Sequence, residues 1–176
     1  WNEIEKREPM EKDAIFRMAS MTKPVTSVAL MMLYEEGHFL LDDPVEKYVP
    51  EFKDARVLVS LDREAGTYET EPARSKPTIR QLLTHTSGIG YGFIHGKAGY
   101  FYAEAGIPDA FVLGDMVLAE EMKKLATMPL LHHPGEKFTY GLNTDMVGYL
   151  VEVFSGQSLA EFMETRIFEP LGMDDT

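Results

Sequence analysis

Ser20 and Lys23 stand three residues apart in Ser20-Met21-Thr22-Lys23, and on a helix that spacing brings a hydroxyl and an amine together. Helical residues three apart are neighbours, with Cβ atoms about 5–6 Å apart. Side chains lean toward the helix N-terminus, so the amine of Lys23 reaches back over Ser20. A serine hydroxyl is a poor nucleophile until a base takes its proton. A free lysine is a poor base: with a pKa near 10.4, only about one amine in 2,500 is neutral at pH 7. Bringing that pKa to ~7 requires the charged form to be disfavoured by about 4.6 kcal/mol, which burial can supply. The apolar neighbours Met18, Ala19, Met21 and Val25 predict such burial.

The element that must position the pair is a helix from about Met21 to Glu36, with Gly37 as its left-handed stop. Pro24 sets where that helix starts, because proline is tolerated only in an opening turn. Ser20 then lies at the helix N-terminus, where its N–H is free to stabilise an oxyanion and its hydroxyl sits in the positive end of the dipole. Average composition gives a chance Ser-x-x-Lys about 0.7 times in a chain this long. The pair therefore gains meaning only from its surroundings.

Those surroundings predict further elements. Val57, Val59 and Leu61 alternate before the turn residues 62–66 and Tyr68, the pattern of a small hairpin. Thr78 and Gln81 make a capping box for a helix ending near Thr84. A glycine- and aromatic-rich loop is expected from Gly88 to Tyr102. Asp115 caps a helix to Ala126, another runs from about Thr144 to Phe154 with Gly156 as its stop, and Ser158 with Glu161 caps a last helix that ends before Pro170. The pattern is five helices against one hairpin, too little sheet for a complete α+β hydrolase.

Phe16-Arg17-Met18-Ala19-Ser20-Met21-Thr22-Lys23-Pro24-Val25-Thr26 resembles the nucleophile helix of the beta-lactamase-related serine hydrolases. That group holds class C beta-lactamases, D-alanyl-D-alanine carboxypeptidases, D-aminopeptidases and family VIII carboxylesterases. Glu35-Glu36-Gly37 with Leu41-Asp42-Asp43-Pro44-Val45, then Leu82-Leu83-Thr84-His85-Thr86-Ser87-Gly88, Pro134-Gly135-Glu136-Lys137-Phe138-Thr139-Tyr140 and Ile167-Phe168-Glu169-Pro170-Leu171-Gly172-Met173 follow in the family's order. The resemblance implies an α+β fold of the serine beta-lactamase and penicillin-binding-protein type. It implies catalytic roles for Ser20 and Lys23, and a tyrosine, Tyr140, that helps activate Ser20 and passes its proton to the leaving group. Lys23 and a contacting tyrosine have similar free pKa values and would titrate as one coupled unit.

The sequence departs from the lactamase pattern where Tyr-x-Asn would place an asparagine: that position is Leu142, and Asn143 comes one step late. One residue on a helix rotates a side chain by about 100°, so Asn143 is not expected to substitute. Leucine offers a substrate apolar contact where asparagine would pair with an amide. The departure favours small esters over beta-lactams, with beta-lactamase or D-peptidase activity as the alternative. The family's third motif, Lys/His/Trp-x-Gly on a strand, has no match here. The expectation is therefore a partial hydrolase domain over residues 1–176, with most of the core antiparallel sheet contributed by chain outside it. Without that chain the site would be incomplete and nearly inactive. A catalytically silent member that binds peptides or cell-wall fragments is the second reading, motivated by Leu142 and the missing motif.

Other features carry less. His85 beside Ser87 lacks the Gly-x-Ser-x-Gly elbow of a Ser-His-Asp hydrolase, and is expected to be bonded within its own turn. Gly88-Ile89-Gly90-Tyr91-Gly92 follows a helix, not the strand a nucleotide site requires. Tyr91, Phe93, Tyr100, Phe101 and Tyr102 line a substrate pocket or pack as a cover; Tyr91 and Leu142 are the candidate substrate contacts. His132-His133 have no third ligand at metal-like spacing. Glu120, Glu121, Lys123 and Lys124 make a mixed-charge face expected to be solvated. No cofactor is called for.

Composition bounds the partners. A net charge of −12 argues against nucleic acid, whose phosphates need a basic face. The chain has no cysteine, which removes disulfides, thiol nucleophiles and zinc–thiolate sites. The longest apolar stretch, Val25 to Leu33, is broken by Thr26 and Ser27 and is too short to span a membrane. A small-molecule ester or amide is the expected partner. Neither bacterial cytoplasm nor periplasm or secretion is favoured, and oligomeric state is not legible.

Overall fold

The computed structural model describes residues 1–108 and 116–176. Helix α1 covers Thr22–Glu35 and is entered through a 3-10 turn, Ala19–Met21, that holds Ser20. Thr26, Ala29, Leu30 and Leu33 are its buried residues, spaced i, i+3, i+4 and i+7 as a one-faced helix requires. Helix α2 is Ile79–Leu83, α3 is Gly96–Glu104, α4 is Leu118–Ala126 and α5 is Asn143–Ser155. The buried face of α1 packs on α5, where Met146, Val147, Leu150 and Val151 are almost fully covered. Burying one such side chain stabilises the fold by about 1.5–3 kcal/mol. The α1–α5 contact is therefore the frame on which the site is built. Gly37 and Gly156, at φ +85° and +72°, stop the two helices in the left-handed conformation, as the sequence predicts.

The capping box of α2 forms in full: Gln81 N–H donates to Thr78 Oγ1 at 3.3 Å and Thr78 N–H donates to Gln81 Oε1 at 3.0 Å. Strands β1 (Arg56–Asp62) and β2 (Thr67–Pro72) make the expected antiparallel hairpin, the one sheet among the described residues. Its register runs from Arg56 opposite Pro72 to Asp62 opposite Thr67, with an irregularity between Leu58 and Ser60. That irregularity breaks the predicted alternation. Val57 and Leu58 are both buried, whereas Val59 is 53% exposed.

Several elements differ from the expectation. The segment Gly88 to Tyr102 is not all loop, because α3 occupies its second half. Ala98, Phe101 and Tyr102 are buried at helical spacing there, a period that the surrounding glycines mask. The last helix does not end before Pro170. Helix α6 (Leu159–Met163) continues through a π-helical turn, Glu164–Phe168, into α7 (Glu169–Leu171). The π turn abandons the i→i−4 pattern just where proline could not continue it, and Pro170 then sits in an opening turn. Ser158 Oγ caps α6 by accepting from Glu161 N–H at 3.2 Å, but the reciprocal bond from Ser158 N–H to the Glu161 side chain is not made, so the expected box is half formed; Leu159 N–H donates to Glu152 at 3.0 Å. The cap assigned to Asp115 falls outside the described residues, and α4 begins after Val117. Its charged face is solvated except at Glu121, whose side chain is 12% exposed and pairs with Lys124 at 2.8 Å. Among the described residues no helix is long and apolar enough to cross a membrane.

Candidate active site

Ser20 reaches the cleft by a bent approach. Ala19 adopts φ +45°, a left-handed conformation that costs a residue with a Cβ roughly 1–2 kcal/mol. The 3-10 turn that Ala19 opens leads directly into α1, so Lys23 falls one turn behind Ser20. Lys23 Nζ donates to Ser20 Oγ at 3.3 Å, and Ser20 Oγ lies 2.8 Å from Tyr140 Oη. Residues 120 positions apart in the chain thus meet at one hydroxyl.

The opposite wall is the turn leading into α5. Gly141 allows it: a Cβ there would overlap the Ile89 carbonyl and the backbone of Gly90, so the two chain segments touch through their backbones. Asn143, fully buried, ties the segments together. It accepts from Ser87 Oγ at 2.6 Å and donates to the Ile89 carbonyl at 3.0 Å, with His85 Nδ1 at 3.2 Å. His95 Nε2 lies 3.1 Å from the Tyr140 carbonyl oxygen. The ring of Tyr140 is held between His85, at 5.0 Å, and the edge-on ring of Tyr91, at 5.4 Å.

These contacts set the protonation states. Partial burial pulls the Lys23 amine down, but its interactions with Tyr140 and Tyr91 together outweigh that and leave it raised. Met18 and Met21 are 49% and 63% exposed, so the apolar flank expected to bury Lys23 is open, and tyrosine rings do the covering instead. The direction is thus opposite to the one expected from burial: the Lys23 amine is raised, not brought down toward neutrality. Tyr140 moves the other way, its phenol lowered by Lys23 first and by Ser20 second. Burial raises the phenol of Tyr91 and lowers His85, with the charge of Lys23 adding to the His85 effect.

Arg17, Ala19, Ser20, Lys23, Tyr91, Phe93, Tyr140 and Asp145 all line one cleft of about 580 Å3. Tyr91 and Phe93 therefore face it, whereas Phe101 and Tyr102 are core residues on α3. Leu142 is not brought to this cleft. It is 3% exposed at the start of α5 and lines a neighbouring cavity. His85 is bonded across to Asn143 and not through its side chain within its own turn. His132 and His133 hold structure, bonded to Thr139 at 2.7 Å and Glu71 at 2.9 Å. Asp145 was not singled out from sequence. It stands in the first turn of α5, three residues after Leu142, and burial raises its carboxyl. That helical spacing was the available signal.

The chain belongs to the Beta-lactamase family, whose model matches residues 1–176. It is 40% identical over 167 residues to Esterase EstB of Burkholderia gladioli, covering 95% of this chain and 39% of that protein. It is 32% identical over 167 residues to monacolin J acid methylbutanoyltransferase of Aspergillus terreus, covering 95% of this chain and 38% of the relative. The structure of EstCE1, a hydrolase with promiscuous acyltransferase activity, superposes with a TM-score of 0.79 at 30% identity, over 98% of this chain and 42% of that one. The chain thus spans about two-fifths of the length of these relatives. The fold is that of beta-lactamases and penicillin-binding-protein-like serine hydrolases, here mostly helical with a single hairpin. Acyl transfer to an acceptor other than water was not anticipated from the sequence.

Proposed function

We propose that the protein carrying this chain hydrolyses small carboxylic esters through an acyl-enzyme on Ser20, and that residues 1–176 supply its nucleophile helix and helical region. The observation that carries this reading is the pair of contacts at one hydroxyl, Tyr140 at 2.8 Å and Lys23 at 3.3 Å. As Ser20 Oγ attacks the carbonyl carbon, its proton moves to Tyr140 Oη and the carbonyl π pair moves onto oxygen. Collapse breaks the bond to the leaving alkoxide, which takes the proton back from Tyr140. Water then repeats the sequence and releases the acid. Lys23 acts as a fixed cation that favours the phenolate.

Esters are favoured over beta-lactams because the only asparagine near the motif, Asn143, is spent inside the fold on Ser87, His85 and Ile89. The relatives' names add a second acceptor. An acyl-enzyme can pass its acyl group to an alcohol instead of water, and the names methylbutanoyltransferase and promiscuous acyltransferase favour examining that outcome. The test is turnover of p-nitrophenyl butanoate by the complete protein, with and without added methanol, beside Ser20→Ala. The expected result is turnover lost by at least about a thousandfold in Ser20→Ala, and methyl butanoate formed when methanol is present. A catalytically silent binding protein would show neither, and no acylation burst.

A further inference from the structure

A second, mostly apolar chamber of about 230 Å3 adjoins the cleft of Ser20, with Leu118 and Asp145 in the walls of both. Its remaining described walls include Met122 and Leu142, together with Glu121. Helix geometry explains the shared wall. Leu118 and Met122 are four apart on α4, and Leu142 and Asp145 are three apart at the start of α5, so each pair points from one face into the gap between the two helices. Gly148 widens the junction further. A Cβ there would lie 2.8 Å from Leu159 Cδ2 and 3.6 Å from Leu118 Cδ2, both cleft-lining side chains.

From this shared wall we infer that the chamber between α4 and α5 is the acyl-binding site, taking the uncharged aliphatic acyl chain of an ester whose carbonyl sits at Ser20. The inference rests on the proposed function and names its substrate class. Methionine and leucine give the chain flexible apolar walls, which match a hydrocarbon without demanding one shape. No lysine or arginine stands among the chamber's described walls, so an acyl group's own carboxylate would be buried there without a cationic partner. Burial raises the Asp145 carboxyl, as a low-dielectric, poorly hydrated wall would. Leu142 thereby returns as a substrate contact, reached from the chamber and not from the cleft.

The complete protein is assayed on p-nitrophenyl acetate, butanoate and hexanoate and on the p-nitrophenyl half-ester of glutaric acid. The wild type is expected to gain in kcat/KM with chain length, by up to about fourfold per buried methylene, and to handle the glutarate at least about tenfold worse than hexanoate. Met122→Phe narrows the chamber, so hexanoate should fall several-fold while acetate changes by less than about twofold. Met122→Ala enlarges it and should move the preference to longer chains; it carries the test alone if the phenylalanine variant melts below assay temperature. Parallel profiles in all folded forms, or equal handling of glutarate and hexanoate, would overturn the chamber while leaving the hydrolase reading in place. No turnover of any ester would overturn both.

Discussion

The two walls of the cleft are held by different means. Tyr140 stands on a wall fastened from beneath, where the fully buried Asn143 bonds Ser87 and Ile89 and a glycine lets two backbones touch. Ser20 is exposed in a 3-10 turn whose first residue, Ala19, holds a left-handed conformation, and its side-chain partners are Lys23 and Tyr140. One wall is scaffold bearing the proposed proton carrier at its tip. The other is a turn on the end of a scaffold helix, bearing the proposed nucleophile. The difference separates residues that hold the fold from residues proposed to act, although they lie a few ångströms apart.

That separation can be broken or sharpened by substitution. The largest effect on folding is expected from Asn143→Ala, which leaves Ser87 Oγ and the Ile89 carbonyl without their buried partner. A loss of about 3 kcal/mol is expected in urea unfolding, and an unchanged midpoint would remove Asn143 from the scaffold. Tyr140→Phe should do the reverse: kcat falls by about a hundredfold or more with the thermal midpoint nearly unmoved. A variant that unfolded instead would place Tyr140 among the structural residues.

The pH profile sharpens the comparison next. Activity that depends on the ionised phenol rises with pH through the Tyr140 pKa, which Lys23 and Ser20 lower. The limb in kcat/KM is therefore expected below the usual phenol range. Lys23→Met removes the cation, so the phenol pKa must rise and the limb must move to higher pH. A limb that stays in place would sever Lys23 from Tyr140. The smallest effect is expected from Gly148→Ala. Alanine gains about 1 kcal/mol of helix propensity, and the 2.8 Å approach is to the end of a leucine side chain that can swing away. Stability should change by less than about 1 kcal/mol, while turnover of the bulkier esters falls a few-fold as Leu159 and Leu118 narrow the cleft.

Local signals carried most of the fold. Gly37, Gly156 and the Thr78–Gln81 box mark helix ends by chemistry confined to a few residues, and each stands where that chemistry puts it. Helix α3 was hidden because glycines interrupt its period, and the continuation past Pro170 because a π turn is not visible as a pattern. In the site, the proximity of Ser20 and Lys23 follows from helical spacing alone. The meeting with Tyr140 came through family resemblance, since no local rule joins positions 20 and 140. What spacing could not reveal was the sign of the Lys23 shift. It depends on two tyrosine rings brought from distant segments, and on methionines that turn outward instead of covering the amine.

The proposed reaction turns on a covalent bond forming at one oxygen. Rapid-quench mass spectrometry of the complete protein during turnover of p-nitrophenyl butanoate reads that bond directly. A butanoyl mass on the peptide carrying Ser20, building up in the wild type and sharply slowed in Tyr140→Phe, is the expected result. Turnover with the acyl group on another residue, or with equal acylation when Tyr140 has lost its hydroxyl, would contradict it.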